Sequence, residues 1–314
     1  MSESIVLDTV MDTYPHTARL KDGGLASSRF AFRFHDEYRP VHTAFKRMVR
    51  DDAFDLSEMA AATALQAVVA GKPLVVLPAV MLSRFHHGSL VRAEGSDLKG
   101  AADLGGRRVA VRSYGQTTGL WARGVLAREY GVDLDTVTWV VFEEGHVAEA
   151  ATPPNVVKAP EGASVESMLT AGQVDAAIVG RQRSVDSRIT PLIPDHANRA
   201  MAWFEKTRIM PVNHMLVLSR RVADAWPWLI DELWRLLAQG RQSYLRELPA
   251  LEPANPDQAM AQELLRLGHD PLPFGLDSLG PIMEFAASLS FEQRLIDRAL
   301  SLEEVFAPCV RHLR

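Results

Sequence analysis

Apolar runs separated by polar turns recur along the 314 residues, with lengths typical of a protein that alternates strands and helices. Strands are predicted over 5–10, 30–34, 74–77, 108–111, 137–142, 174–179 and 210–218. Apolar positions three and four residues apart predict helices over 40–49, 60–70, 164–171 and 225–245, a helix that ends near 130–131, and a mostly helical stretch over 277–298. The fold class is therefore predicted to be α/β.

The alternation occurs in two stretches, which predicts two lobes, each a mainly parallel sheet flanked by helices, with a ligand cleft between them. Lobe 1 is expected to be discontinuous, with residues 1–92 and 215–314, and lobe 2 to comprise residues 93–214. In open α/β sheets, ligands bind beyond the carboxyl ends of strands. The loops that follow the predicted strands are therefore the expected positions of functional side chains.

Charge and cysteine content exclude several classes of protein. A formal net charge of -5 gives no reason to expect nucleic acid or a membrane surface as a partner. The single Cys309 excludes an intramolecular disulfide framework and a multi-thiolate metal site. The first eight residues lack the basic start and apolar core of a secretory signal. We expect a cytoplasmic protein with a small-molecule ligand, and the sequence leaves open whether it forms a homo-oligomer.

The loops after the predicted strands contain four side chains that can hold or move a proton, and these are the candidate catalytic residues: His16, Glu58, His86 and His214. Side chains suited to binding the ligand lie in the same loops: Tyr14, Arg84, His87, Ser113, Thr117, Thr118 and Arg181. A guanidinium can grip a carboxylate with two hydrogen bonds, and the helix start over 113–118 can bind an anion. The segment over 77–89 has the highest density of such groups.

Each candidate also has an ordinary structural interpretation. Adjacent strand side chains point to opposite faces, so at most one of His86 and His87 would face the cleft. Glu58 fits either the N-terminus of the following helix or a carboxylate that orients a histidine. Hydroxyl residues at 113–118 are also normal helix caps. No zincin or calcium-loop pattern is present, so no metal ligand is assigned, although the candidate histidines and Glu58 leave a divalent metal open.

Segments along nearly the whole chain resemble the 4,5-dihydroxyphthalate decarboxylase family, whose fold is that of type 2 periplasmic binding proteins. The two-lobed pattern, with Asp103-Leu104-Gly105-Gly106-Arg107-Arg108-Val109-Ala110-Val111 opening the second lobe, resembles type 2 periplasmic binding proteins in general. The segments similar to the decarboxylase family are Phe54-Asp55-Leu56-Ser57-Glu58-Met59, Leu77-Pro78, Ser83-Arg84-Phe85-His86-His87, Tyr114 with Thr117, Trp121, Arg123 and Gly124, Glu129-Tyr130-Gly131-Val132, Asn213-His214-Met215, Pro227-Trp228, Asp270-Pro271, Phe274-Gly275 and Phe306-Ala307-Pro308. The resemblance implies a non-oxidative carboxy-lyase that converts 4,5-dihydroxyphthalate to protocatechuate, a step of phthalate degradation. In principle it requires no cofactor.

Such a reaction needs a proton donor for the ring carbon and groups that hold the hydroxyls and carboxylates. We expect His16, His86 or His214 to be the donor and Glu58 with a second histidine to handle a phenolic hydroxyl. Arg84, the helix start over 113–118 and Arg181 are expected to hold carboxylates. Two alternatives stay open: a solute-binding protein for an aromatic carboxylate without catalysis, and a decarboxylase or lyase of another hydroxylated aromatic acid.

Overall fold

The computed structural model describes residues 5–180 and 186–314. Its strands are β1 Ile5–Val10, β2 Phe30–Phe34, β3 Leu56–Ala60, β4 Leu74–Ser83, β5 Leu90–Ala93, β6 Arg108–Val111, β7 Thr138–Val141, β8 Val156–Lys158, β9 Ala176–Ile178, β10 Ile189–Pro191 and β11 Val212–Ser219. Its α-helices are α1 Ala18–Lys21, α2 Phe45–Asp51, α3 Ala61–Val69, α4 Thr117–Tyr130, α5 Val165–Thr170, α6 His196–Thr207, α7 Arg220–Ala225, α8 Trp228–Glu247, α9 Pro256–Arg266, α10 Leu276–Glu292 and α11 Leu302–Val305.

The chain divides into two compact units. Unit 1 contains Met1–Arg84, Val212–Glu284 and Leu300–Arg314, and unit 2 contains Phe85–Pro211 and Phe285–Ala299. The predicted lobes had placed 85–92 and 285–299 in lobe 1 and 212–214 in lobe 2, so the observed division differs at three places. The second difference has a clear cause, because Gln293 hydrogen-bonds to side chains of unit 2.

Unit 1 contains a five-stranded sheet in the order β2-β1-β3-β11-β4. Strands β1, β2 and β3 pair in parallel, and β11 pairs antiparallel with both β3 and β4. All five residues of β3 are buried, because the strand lies between β1 and β11 in the sheet. Any polar side chain on β3 must therefore find its hydrogen-bond partners within the protein.

Unit 2 contains a six-stranded sheet in the order β10-β5-β9-β6-β7-β8. The central strands pair in parallel, and β5 pairs antiparallel with β9 and with β10. Apolar residues of the sheet and of α5, among them Ala110, Val140 and Leu169, form its core. Each unit thus has a mixed sheet in which one strand runs against the others.

Proline accounts for two differences from the predicted elements. Strand β4 continues past Leu77 to Ser83 because a register shift against β11 accommodates Pro78 in an irregular stretch. The helix predicted over 225–245 is α8, which begins later, at Trp228, because Pro227, which cannot donate a backbone hydrogen bond, separates it from the short preceding helix α7. The segment over 40–49 begins with the 3-10 turn Val41–Ala44 before α2.

Within the described residues, no helix combines the length and apolar character that crossing a bilayer requires.

Candidate active site

A carboxylate in the middle of the unit 1 sheet anchors the candidate site. Glu58 lies on β3 and its side chain is fully buried. The sequence had suggested a place at the start of the next helix, but that helix begins at Ala61, and Glu58 is a strand residue. The apolar neighbours Leu56 and Met59 are compatible with a helix start and with a strand, and the pairing of β3 with β11 shows that this segment is a strand.

Three donors satisfy this carboxylate. Glu58 Oε1 accepts hydrogen bonds from the Tyr14 hydroxyl and from His214 Nδ1, each at 2.6 Å. Glu58 Oε2 accepts a hydrogen bond from the backbone N–H of Asp12 at 3.0 Å. Burial by itself raises the pKa of Glu58, but the bonds from His214, Tyr14 and Asp12 outweigh it, so the pKa lies below its usual value. Glu58 is therefore a buried anion at neutral pH.

His214 is oriented by Glu58 and is the member of the pair that reaches solvent. Antiparallel pairing places His214 opposite Ala60. Ala60 is two residues after Glu58 on β3, so the side chains of His214 and Glu58 lie on the same face of the sheet. Its side chain is 18% exposed, and the Phe45 ring packs edge-on against the imidazole with centroids 5.2 Å apart. Because Nδ1 is bonded to Glu58, Nε2 is the nitrogen left for a ligand. An imidazole that a carboxylate orients in this way is a group that can carry a proton in general acid catalysis.

His16 belongs to the same cluster but has the opposite electrostatic character. It lies in the loop after β1, and its ring stacks on Tyr14 with centroids 5.4 Å apart and an angle of 8°. Burial lowers the pKa of His16 to about 4, although the charge of Glu58 opposes the shift. The imidazole is therefore neutral at pH 7. Its Nε2 is buried and has no hydrogen-bond partner among the described residues.

Helix α8 holds the His16 loop in place through a close backbone approach. A Cβ atom on Gly240 would lie 2.3 Å from the carbonyl oxygen of His16, so only glycine fits at this point of the helix. One turn further on, the ring of Tyr244 lies 6.0 Å from the His16 ring. The sequence analysis missed both residues. The available signal was an isolated glycine inside an amphipathic helix.

Unit 2 contains a second imidazole–carboxylate pair. His87 Nε2 lies 2.7 Å from Glu129 Oε2, on α4, and the Trp203 ring packs against the imidazole with centroids 6.1 Å apart. Burial lowers the pKa of His87, and Glu129 only partly offsets the shift. His86, the residue before it, is 1% exposed. Strand β4 ends at Ser83, so the alternation expected for adjacent strand residues does not apply to this pair.

The other candidate ligand-binding residues fall in three places. Arg84 follows β4 in unit 1 and is 8% exposed. Ser113, Thr117 and Thr118 are buried at the start of α4 in unit 2. Arg181 lies outside the described residues.

Comparison with known proteins finds a match to one family model and to two decarboxylases. Residues 27–182 match a family model described as the periplasmic substrate-binding protein of phosphonate ABC transporters. A 4,5-dihydroxyphthalate decarboxylase from Comamonas testosteroni is 26% identical over 281 residues, covering 84% of this chain and 85% of the relative. Another from Pseudomonas putida is 28% identical over 172 residues, covering 51% and 67%. Over most of its length, this chain is similar in sequence to 4,5-dihydroxyphthalate decarboxylases.

The fold of this chain also occurs in an alkanesulfonate-binding protein. The alkanesulfonate-binding protein SsuA from Xanthomonas axonopodis pv. citri, solved with bound MOPS, matches with a TM-score of 0.55 at 17% identity. The match covers 98% of this chain and 99% of SsuA. The predicted α/β fold of the periplasmic-binding-protein type is therefore confirmed, and it is a fold that binds small molecules.

Within unit 1, the structure brings together four of the residues that the sequence predicted for the site: Tyr14, His16, Glu58 and His214. His87 pairs instead with Glu129 in unit 2. Among the described residues, no group of three or more His, Cys, Asp or Glu side chains is arranged to hold a metal ion.

Proposed function

We propose that this protein decarboxylates a hydroxylated aromatic dicarboxylate without redox chemistry, converting 4,5-dihydroxyphthalate to protocatechuate. The observation that carries the proposal is the Glu58–His214 pair, a buried anion that orients a half-buried imidazole. Binding a solute does not require a group that delivers protons, whereas decarboxylation of an aromatic ring does. The names of the two decarboxylase relatives support the same reaction and substrate.

In the proposed reaction, His214 is the proton donor. A hydroxyl para to the departing carboxylate raises the electron density of the ring carbon that bears it. Protonated His214 passes the Nε2 proton to that carbon, and the ring loses its aromaticity. The bond to the carboxylate then breaks, its electron pair restores the aromatic ring, and CO2 leaves. Neutral His214 takes up a proton from solvent, so one proton is consumed for each CO2 released.

Glu58 acts through His214 in this scheme. The carboxylate is fully buried and its oxygens already accept three hydrogen bonds, so it holds the tautomer and orientation of His214 and stabilises the protonated ring. The sequence left two roles for Glu58, orienting a histidine and handling the phenolic hydroxyl, and the present proposal takes the first. Glu58 is a positioning residue in the present proposal.

His16 is proposed to bind the phenolic hydroxyl. Its Nε2 has no hydrogen-bond partner among the described residues, and the ring is neutral at pH 7 because its pKa is about 4. A neutral imidazole can accept a hydrogen bond from the hydroxyl at Nε2, which increases the electron donation into the ring. The carboxylate contacts predicted for Arg84 and for the start of α4 stay part of this proposal.

A second candidate function is a solute receptor for an aromatic carboxylate. The likeness of fold to SsuA favours it, because the same fold supports binding without turnover. One experiment separates the two: purified protein is incubated with 4,5-dihydroxyphthalate while CO2 and protocatechuate are quantified. Phthalate, which lacks the hydroxyls, is the control. We expect several CO2 molecules per chain from the first compound and none from the second. Tight binding without CO2 would support the receptor instead.

A further inference from the structure

Arg123 is a buried cation for which the described part of unit 2 supplies no anionic partner. It lies on α4 and is 0% exposed. Its Nε donates to Gln293 Oε1 at 2.7 Å, and its Nη2 donates to the carbonyl oxygen of Tyr114 at 2.7 Å. Its Nη1 is buried without a hydrogen-bond partner among the described residues. Neither partner of the guanidinium carries a charge.

The contacts of this guanidinium hold it in place but leave its charge uncompensated. The carbon at the centre of the group lies 4.0 Å from the centroid of the Tyr114 ring and 5.4 Å from that of Trp139. These cation–π contacts offset part of the free energy that is lost when the guanidinium is removed from water. Burial nevertheless lowers the pKa of Arg123, opposed by Tyr114, and no carboxylate contributes. A buried cation is normally paired with an anion.

The guanidinium lies beneath the beginning of α4. A Cβ atom on Gly119, the third residue of the helix, would be 2.9 Å from Arg123 Nη1. The positive pole of a helix is at its N-terminus, which favours an anion there and disfavours a cation. Gln116, in the N-cap position, makes no side-chain capping hydrogen bond. Two sources of positive potential therefore coincide at the 14-residue helix's first turn.

We propose that the Arg123 guanidinium supplies positive charge to the anion site expected over 113–119, so that an anion bound there provides the counter-charge that Arg123 lacks. The identification of that anion as a carboxylate of an aromatic acid rests on the proposed function. Ser113, Thr117 and Thr118 were expected from the sequence to bind ligand, and Arg123 had been noted only as part of a resemblance. Arg123 is a positioning residue for charge, because its contacts are with Tyr114 and Gln293 and its effect on the ligand is electrostatic.

The experiment measures the Kd of phthalate by calorimetry, since phthalate has the carboxylates but lacks the hydroxyls that the reaction needs. We expect Arg123→Met to raise the Kd by about 30-fold or more and Arg123→Lys to raise it less. Arg128→Met is the matched control, because Arg128 is an exposed cation of the same helix that already has a carboxylate partner, Glu292. We expect that change to alter the Kd by no more than about twofold.

Gln293→Glu provides a test that does not remove the cation. The new carboxylate would sit against Arg123 Nε and supply an internal counter-charge. We expect the ligand-free protein to keep its denaturation midpoint or to gain stability, while the Kd of phthalate rises about tenfold. A merely structural Arg123 would leave the Kd of this variant unchanged. Gln293→Glu also tests the role of Arg123 if Arg123→Met does not fold, because it keeps the guanidinium.

A wild-type protein that does not bind phthalate at millimolar concentration, or variants of Arg123 and Gln293 that bind it as tightly as the wild type does, would overturn the inference. The outcome is separable from the proposed function. Binding that depends on Arg123, together with no release of CO2 from 4,5-dihydroxyphthalate, would leave the anion site standing and remove the decarboxylase. Turnover with no dependence of binding on Arg123 would do the reverse.

Discussion

The two imidazole–carboxylate pairs of this protein have nearly the same hydrogen bond and opposite burial. In unit 1, Glu58 is fully buried and the His214 side chain is 18% exposed, across a 2.6 Å bond. In unit 2, the His87 side chain is 2% exposed and that of Glu129 is 21% exposed, across a 2.7 Å bond. The geometry of the bond alone therefore does not distinguish a catalytic pair from a structural one.

The difference lies in which partner is removed from water. Three donors, His214 among them, compensate the buried charge of Glu58, and the imidazole of His214 stays partly exposed to solvent. In the other pair, burial disfavours charge on the imidazole itself, and the pKa of His87 is lowered. In the proposed reaction the first pair donates a proton, whereas the second joins the loop before β5 to α4.

The largest expected effect is on turnover when each imidazole is replaced in turn. We expect His214→Gln to lower kcat by about 1,000-fold, within the range typical of lost general acid catalysis, while the protein stays folded. His87→Gln should lower kcat by less than about threefold and cost about 1–2 kcal/mol of stability, since a buried hydrogen bond is weakened. Steady-state release of CO2 and urea denaturation measure the two quantities. Equal losses of kcat in both variants would remove the distinction between the pairs.

A smaller effect is expected on the pH dependence of stability, through His16. Its pKa in the folded protein is about 4, against an ordinary value of 6.5. Between these values the unfolded chain binds a proton that the folded chain does not, so His16 lowers stability as the pH falls. Going from about pH 7 to about pH 5, this contribution amounts to about 2 kcal/mol.

We expect His16→Gln to remove that contribution, so that the free energy of unfolding falls less steeply between the two pH values than it does in the wild type. The pKa of Glu58 is lowered in the folded protein, so its carboxylate stabilises the fold above the pKa that it has in the unfolded chain. That stabilisation is lost as the pH falls, mainly below the range from about pH 7 to about pH 5. His87→Gln is the companion variant, because burial also lowers the pKa of His87, and this shift likewise lowers stability as the pH falls. A His16 variant as pH-sensitive as the wild type would contradict the buried, neutral state of His16.

The smallest expected effect compares two glycines of the helices that support the pairs. In unit 1, a Cβ on Gly240 would meet the backbone oxygen of His16 at 2.3 Å, whereas in unit 2 a Cβ on Gly124 would meet the side-chain Cδ1 of Leu289 at 2.6 Å. We expect Gly240→Ala to cost about 1–3 kcal/mol, because the backbone must shift. Gly124→Ala should cost less than about 1 kcal/mol, since a side chain can rotate and alanine favours the helix. Urea denaturation of both variants measures the contrast, and the reverse order of stability would refute it.

Periodicity was sufficient to predict most of the elements. Strands β1, β2 and β6 agree with their predicted bounds, since short segments rich in β-branched, aromatic and other apolar residues mark strands. Pro78 and Pro227 limited the prediction for β4 and α8 in different ways. The first proline is accommodated in a bulge of a continuing strand, and the second separates two helices. Which outcome a proline has depends on pairing between distant segments.

The members of the candidate site could be named from the sequence, but their pairing could not. Glu58 and His214 are 156 positions apart and meet because β11 returns to pair with β3. The short segment with the most histidines, over 84–87, looked more informative than either residue alone. Its His87 is bonded to Glu129, and a substrate contact for it stays a prediction. Gly240 was missed because a close approach to a backbone oxygen leaves no pattern in side-chain chemistry.

The central claim is that Glu58 and His214 act as one unit in proton transfer, and a double-mutant cycle on kcat tests it most directly. The cycle uses Glu58→Gln, His214→Gln and the double variant, with 4,5-dihydroxyphthalate as substrate. Alone, Glu58→Gln should lower kcat by about 100-fold, because His214 loses its orientation and its neighbouring charge. In the double variant, kcat should lie within about threefold of that of His214→Gln alone, because residues that act together are not additive. A further loss of about 100-fold on adding Glu58→Gln, or wild-type turnover without His214, would contradict the account.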